Sequence, residues 1–238
     1  RWRGADLWPD AADEGLADLD AFLARCDVVT AGVDGGGLDD MLALGLIGRC
    51  RTTRDWLSWN RAWLQRSVLE LRKDIAERLR DFDRGGDLIL CDDATEDIMG
   101  LVDIVERVRD AGLLPNESGV GLDPYGVAAL VDEFAARGIT VPTLVSVGQG
   151  TRLSPAVWGL ERKLNDGTFW HGGRPLMTWC VANAKAEQRG NAVLITKQTA
   201  GKAKIDPLVA TFNAAMLMAK NPEAIGRSVY ETRGVLVL

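Results

Sequence analysis

The spacing of apolar residues changes period several times along the chain. Leu16, Leu19, Phe22 and Leu23 fall at helical intervals and predict a short helix over residues 11–26. DVVTAGVD (27–34) and MLALGLIG (41–48) are compact apolar runs and predict two strands joined by a glycine-rich turn. TTRDWLSWN (52–60) predicts a third, amphipathic strand, and three strands in quick succession predict an antiparallel meander. Residues 61–84 are charged and predict a helix, as do residues 95–111, ended by Gly112. A strand (118–123), a helix (YGVAALVDEFAARG) and a strand (ITVPTLVSVG) follow. Helices are then predicted over 153–165 and 174–184, a hairpin over 186–198, a helix over 205–220 and a tail from Gly226.

Strands alternating with helices after a meander predict an α/β fold with a mixed sheet. The antiparallel three-strand meander comes first, parallel strands follow, and helices flank them. A doubly wound sheet would need crossovers from its first strand. GVDGGG lacks the G-x-G-x-x-G spacing and precedes a strand, which excludes a dinucleotide fingerprint. No G-x-x-x-x-G-K-[ST] occurs, so the chain carries no P-loop.

With 238 residues, 47% of them apolar, the chain can bury a sizeable core in one large or two small domains. No apolar run reaches the roughly 18–20 residues of a membrane helix, and RWRGADLWPDAADEG has no signal-peptide core. Four cysteines without a C-x-x-C pair, and a single histidine, argue against a zinc site or a disulfide framework and fit a reducing compartment. The net charge of −6 conceals an asymmetry. Residues 1–148 carry 16 Lys and Arg against 28 Asp and Glu, whereas residues 149–238 carry 12 against 6. The basic part suits a polyanion and the acidic part suits cations.

Three aspartates stand where strands end or helices begin. Asp34 ends the first strand, Asp123 ends the fourth in GLDPYG, and Asp206 opens the last helix in KIDPLVA. Each has an ordinary reading. Asp-Pro is a helix start with Asp as N-cap, and Asp at a strand-to-turn junction is turn chemistry. Together they allow another. If the first and fourth strands are neighbours, their carboxylates meet at one sheet edge, where ligands gather in α/β folds. Carboxylates a few ångströms apart repel until a proton or cation relieves them, and hard oxygen donors suit Mg²⁺ or Mn²⁺. Two such ions activate water and stabilise the leaving oxygen in phosphodiester cleavage. Asp40, six residues after Asp34, is either a fourth ligand or a turn residue, with Asp39 facing solvent. The glycines after Asp34 leave room for a phosphate backbone, or simply make a flexible hairpin loop.

Five segments in order resemble the nuclease half of phage large terminase subunits: GVDGGGLDDMLAL, RDWLSWNRAWL, GVGLDPYGVAALVDEF, TFWHGGRPLMTWCVANA and KIDPLVATFNAAMLM. The resemblance spans about residues 27–220 and implies an RNase H-like fold with divalent-metal endonuclease activity on double-stranded DNA. It implies Asp34, Asp123 and Asp206 as catalytic metal-binding carboxylates for two Mg²⁺ or Mn²⁺ ions, with Asp40 accessory. It also implies an N-terminal ATPase domain, a small terminase subunit and a portal as partners, and action in the host cytoplasm at the viral procapsid. Since this chain has no P-loop, residues 1–26 are expected to be a linker helix from a missing ATPase domain. Residues 27–225 are expected to form the nuclease with a helical insertion at about 60–95, and residues 226–238 a tail.

Lys197, Lys202 and Lys204 flank a short TAG segment just before Asp206. With Arg174 and Arg189 they are candidate DNA contacts through phosphate, or solvated surface charges. His171, in HGGRP, reads as a residue that shapes a turn or touches substrate, with a purely structural role preferred, because a metal-bound hydroxide needs no histidine base. Trp56, Trp59 and Trp63 read as packing residues, and CDDATED (91–97) as a favourable helix N-terminus. Two rival readings share parts of the pattern: another RNase H-like nuclease such as a resolvase or transposase core, and a non-catalytic docking module of a packaging motor.

Overall fold

The structure is a computed structural model and describes residues 1–35, 37, 40–124, 127–197 and 203–224. Asp39, Lys202 and the tail from residue 226 lie outside the described residues. Nine strands are described: β1 (Cys26–Asp34), β2 (Leu42–Cys50), β3 (Trp56–Gln65), β4 (Leu88–Cys91), β5 (Val120–Leu122), β6 (Leu144–Ser146), β7 (Phe169–His171), β8 (Ala184–Arg189) and β9 (Ala192–Lys197). The described helices are α1 (Gly4–Leu7), α2 (Leu19–Arg25), α3 (Val68–Leu71), α4 (Ala76–Arg84), α5 (Glu96–Asp110), α6 (Ala128–Ala136), α7 (Ser154–Asn165), α8 (Pro175–Asn183) and α9 (Asp206–Met218).

β1, β2 and β3 form the antiparallel meander. β5 then adds parallel to β1, β6 parallel to β5, and β4 parallel to β3, in the order β4-β3-β2-β1-β5-β6. β7 pairs in parallel with the first half of β3, and β8 and β9 form a separate hairpin. This is the mixed sheet the sequence predicts.

Two predicted helices differ, and short strands lie where none is predicted. The charged helix expected over 61–84 begins only at Val68, because β3 runs on to Gln65 with Ala62, Trp63 and Leu64 buried. Cross-strand pairing with β2 holds these residues extended, against the helical propensity of the charged stretch that follows. One such unpredicted strand is β4, between α4 and α5, a short buried run whose pattern does not distinguish strand from helix. The helix expected from residue 11 starts at Leu19, where the Asp18 side chain accepts from the Ala21 N–H. The residues before it form short 3₁₀ turns that bury Trp8, Ala11 and Leu16.

Successive residues of a strand face opposite sides. Val29, Ala31 and Val33 pack with α2, α5 and α6, while Thr30 and Gly32 face α9. Eleven of the thirteen α9 residues are buried, so this helix lies inside the molecule rather than on it. Gly32 and Gly45 are cross-strand partners and together form the notch that admits it. A Cβ at Gly32 would lie 2.1 Å from the Ala210 carbonyl oxygen, and one at Gly45 would lie 2.6 Å from the Thr211 amide nitrogen. Polar bonds fix the helix along the notch. The Asn213 amide donates to the Val33 carbonyl (2.8 Å), the Thr30 hydroxyl to the Ala214 carbonyl (2.9 Å), and the Asn60 amide to the Thr211 hydroxyl (2.6 Å).

Candidate metal centre

The register of β1 and β5 aligns Ala31 with Val120 and Gly32 with Gly121. Carried two residues further, it sets Asp34 level with Asp123, which follows the last residue of β5. In-register residues of parallel strands share a face, and here it is the face covered by α9. The chain reverses at once after Asp34. Gly35 has φ +85°, and a Cβ there would sit 1.9 Å from the Met41 carbonyl oxygen, so only glycine fits. That reversal delivers Asp40 to the start of β2, with its amide bonded to the Gly37 carbonyl (3.0 Å).

Asp206 is the first residue of α9 and 4% exposed. It is not the cap that Asp-Pro suggests. Ile205 holds the N-cap position, no side chain caps the helix, and the Asp206 Oδ2 is buried without a hydrogen-bond partner. Leaving such an atom unsatisfied is costly, and sites that do so commonly serve a ligand.

The electrostatics bring the four acids together. Burial, and then the charges of Asp206, Asp123 and Asp40, push the Asp34 carboxyl up to about 8, while Lys197 opposes them. Burial and then Asp40 raise Asp206 as well, against Lys197 and Lys204. Asp40 goes the other way. Burial works against its ionisation, but the Lys204 ammonium and the Met41 N–H outweigh it and hold the carboxyl below its ordinary value. Lys204 is 3% exposed and forms an ion pair with Asp40.

The donors are all hard carboxylate oxygens, which suits Mg²⁺ or Mn²⁺ better than softer metals. Their chemistry and the orphaned Asp206 oxygen fit a divalent ion. Their spacing is open: among the described residues, no three His, Cys, Asp or Glu side chains stand close enough to hold an ion as placed. Asp123 also borders an apolar groove lined by Val127, Val131, Ile139 and Leu144.

The basic candidates divide. Lys197 ends β9, is exposed, and acts on Asp34, Asp40 and Asp206. Arg189 pairs with Glu187 at 2.7 Å. Arg174 pairs with the buried Asp87 and donates to the Gly85 carbonyl, tying α8 to the turn after α4. Lys204 is buried rather than displayed on a loop.

His171 is structural in its contacts. The Gly173 N–H donates to Nδ1 at 3.0 Å, so Nε2 carries the proton and donates to the Trp8 carbonyl at 2.8 Å. The ring stacks on Trp8 with centroids 3.7 Å apart, and burial pushes its pKa down to about 4. Trp59 and Trp63 are core residues, and Trp56 packs beneath the Lys163 ammonium. Sequence reasoning missed the pairing role of Lys204, and also the Gly32–Gly45 notch, although two glycines at facing strand positions could have signalled it.

A family model described as terminase large subunit, endonuclease domain, matches residues 25–223. The chain is 29% identical over 150 residues to Protein YmfN of Escherichia coli (strain K12), covering 61% of this chain and 32% of that protein. The large terminase of bacteriophage HK97 superposes with a TM-score of 0.68 at 23% identity, over 89% of this chain and 42% of that one. The large terminase nuclease of the thermophilic phage G20c superposes with a TM-score of 0.50 at 12% identity, over 79% of this chain and 81% of that one. The chain thus spans about a third of the curated relative it matches and under half of the HK97 protein. At these identities the structural likenesses bear on the fold, which is RNase H-like.

Proposed function

This chain belongs to the endonuclease-domain family of terminase large subunits, and on that premise we propose that it cleaves double-stranded DNA by metal-dependent phosphodiester hydrolysis. The observation that supports the proposal is electrostatic: at the end of β1, Asp34 lies within the field of Asp206, Asp123 and Asp40. There burial and mutual repulsion push Asp34 to about 8 and leave an Asp206 oxygen unpartnered. Such an arrangement is destabilising unless something cationic uses it.

Asp34, Asp123 and Asp206 would hold two Mg²⁺ or Mn²⁺ ions, with Asp40 beside them. Bound there, the ions supply an activated water and neutralise the departing 3′ oxygen. The protein does the rest. The β1–β5 register and the glycine notch would set the backbone positions from which the three carboxylates extend. Gly35, where only glycine fits, makes the reversal that leads from Asp34 back towards Asp40. Lys197, with Lys202 and Arg189 in the same basic part of the chain, would bind the phosphate backbone. Contacts of that kind position DNA without reading its sequence. Cleavage choice would then come from partners: an ATPase domain, a small terminase subunit and a portal, met at the procapsid in the host cytoplasm. Residues 1–26 would lead from the ATPase domain.

Nicking of supercoiled plasmid tests the proposal. Cleavage is expected with Mn²⁺ or Mg²⁺, none with EDTA, and none from Asp34→Asn, Asp123→Asn or Asp206→Asn. If all three variants cut at the normal rate, the proposal is wrong.

A further inference from the structure

Lys204 is an unusual residue to find beside a candidate cation site. Lysine is rarely buried unless paired, yet this one is 3% exposed, and its ammonium reaches the carboxylate of Asp40. The pair is lopsided: the Lys204 side chain is 4% exposed and that of Asp40 43%. Asp40 could turn towards solvent without its partner, but Lys204 would then be a buried ammonium with no counter-ion, which is costly. Backbone geometry keeps it in place. The Lys204 carbonyl accepts from the Asn183 amide (3.1 Å) on α8, and Asp206 begins α9 two residues later. The ammonium also favours the ionised form of Asp206. A positive charge held inside the fold therefore already stands beside Asp40 and Asp206.

We propose that Lys204 is a resident cation in place of the second metal ion. It engages Asp40, leaving Asp34, Asp123 and Asp206 to take one divalent ion in the resting protein. A second ion enters only when the Lys204–Asp40 pair opens. The inference rests on the metal-centre reading above and deepens it, since it sets the stoichiometry of the DNA-free site. Lys204 is here a positioning residue: it acts through Asp40.

Calorimetric titration with MnCl₂ in the absence of DNA, with spin-counting of bound Mn²⁺ by electron paramagnetic resonance, tests it. The wild-type chain is expected to bind one ion. Lys204→Met frees Asp40 and should bind two, with the first about tenfold tighter, the effect of removing one close like charge. Lys204→Arg keeps the pair and should bind one. Lys197→Met removes the same charge without touching Asp40, and should tighten the first ion but leave the count at one. In Lys204→Met, the further change Asp40→Asn should return the count to one. Circular dichroism and melting establish that each variant is folded. Two ions on the wild type, or one on a folded Lys204→Met, would overturn the proposal. No ion on any of these proteins would overturn the metal-centre reading itself, and this inference with it.

Discussion

Replacing Asp34 by asparagine should separate stability from activity. Asparagine keeps the size of the side chain and cannot ionise. The folded protein holds the Asp34 carboxyl at about 8 against an ordinary 3.8. A carboxyl with a raised folded value favours the fold most when protonated, so its contribution is full below about 3.8 and lost as pH rises towards about 8. At pH 7 roughly three units of that shift are expressed, or about 4 kcal/mol. Asp34 keeps some contact with solvent, and screening there reduces the figure to about 2 kcal/mol. Urea unfolding in EDTA at pH 5, 6, 7 and 8 measures this. The difference between variant and wild type cancels titrations that do not feel Asp34, such as that of His171. It should vanish only below about pH 4, be about a third of its full size at pH 5, reach about 2 kcal/mol in favour of Asp34→Asn at pH 7 and grow slightly further by pH 8. For a chain of this size that is a rise in Tm of about 4–8 °C. Adding Mn²⁺ should reverse the order, stabilising the wild type and leaving the variant almost unchanged. A variant no more stable than wild type at pH 8 would refute the view that these acids repel one another at the sheet edge.

Gly32→Ala should destabilise by about 3 kcal/mol, the upper end of overpacking costs, because its Cβ meets Ala210 and Ala214 backbone atoms at 2.1 and 2.3 Å. Melting would read the loss, and plasmid nicking should fall with it, since α9 carries Asp206. His171→Gln should reduce the acid sensitivity of unfolding. A histidine held neutral to about 4 costs stability as pH falls from about 6.5 to about 4, so a variant with an unchanged slope there would contradict the assignment. Lys197→Ala should leave the melting temperature unchanged while weakening duplex binding. Its plot of log affinity against log salt should become shallower by about 0.9, and an unaltered slope would remove Lys197 from the phosphate contacts.

Much of this architecture was legible in the chain. The apolar runs on either side of GVDGGGLDD define β1 and β2, the glycines mark the reversal, and Asp-Pro marks the start of α9. Local chemistry specifies these elements, so local pattern reveals them. β4 was hidden because it is apolar throughout and lacks the alternation that separates strand from helix, and β7 because three residues are too few to show a period. The far end of β3 was hidden for another reason. Its residues RAWLQ read as the start of the charged helix, and only pairing to β2 and β4 makes them extended.

The acids themselves could be named from sequence, because carboxylates at strand ends and helix starts are visible as residue types in position. Their environment could not be named. Whether Asp206 caps its helix or presents a bare oxygen depends on where α9 lies, and that is decided by two glycines facing each other across β1 and β2. Whether Lys204 meets solvent or a carboxylate depends on the same docking, which brings a residue 164 positions from Asp40 against it. Residue type and local periodicity determine which charges exist and which element bears each. Desolvation and distance determine what those charges do, and both arise only when distant segments pack.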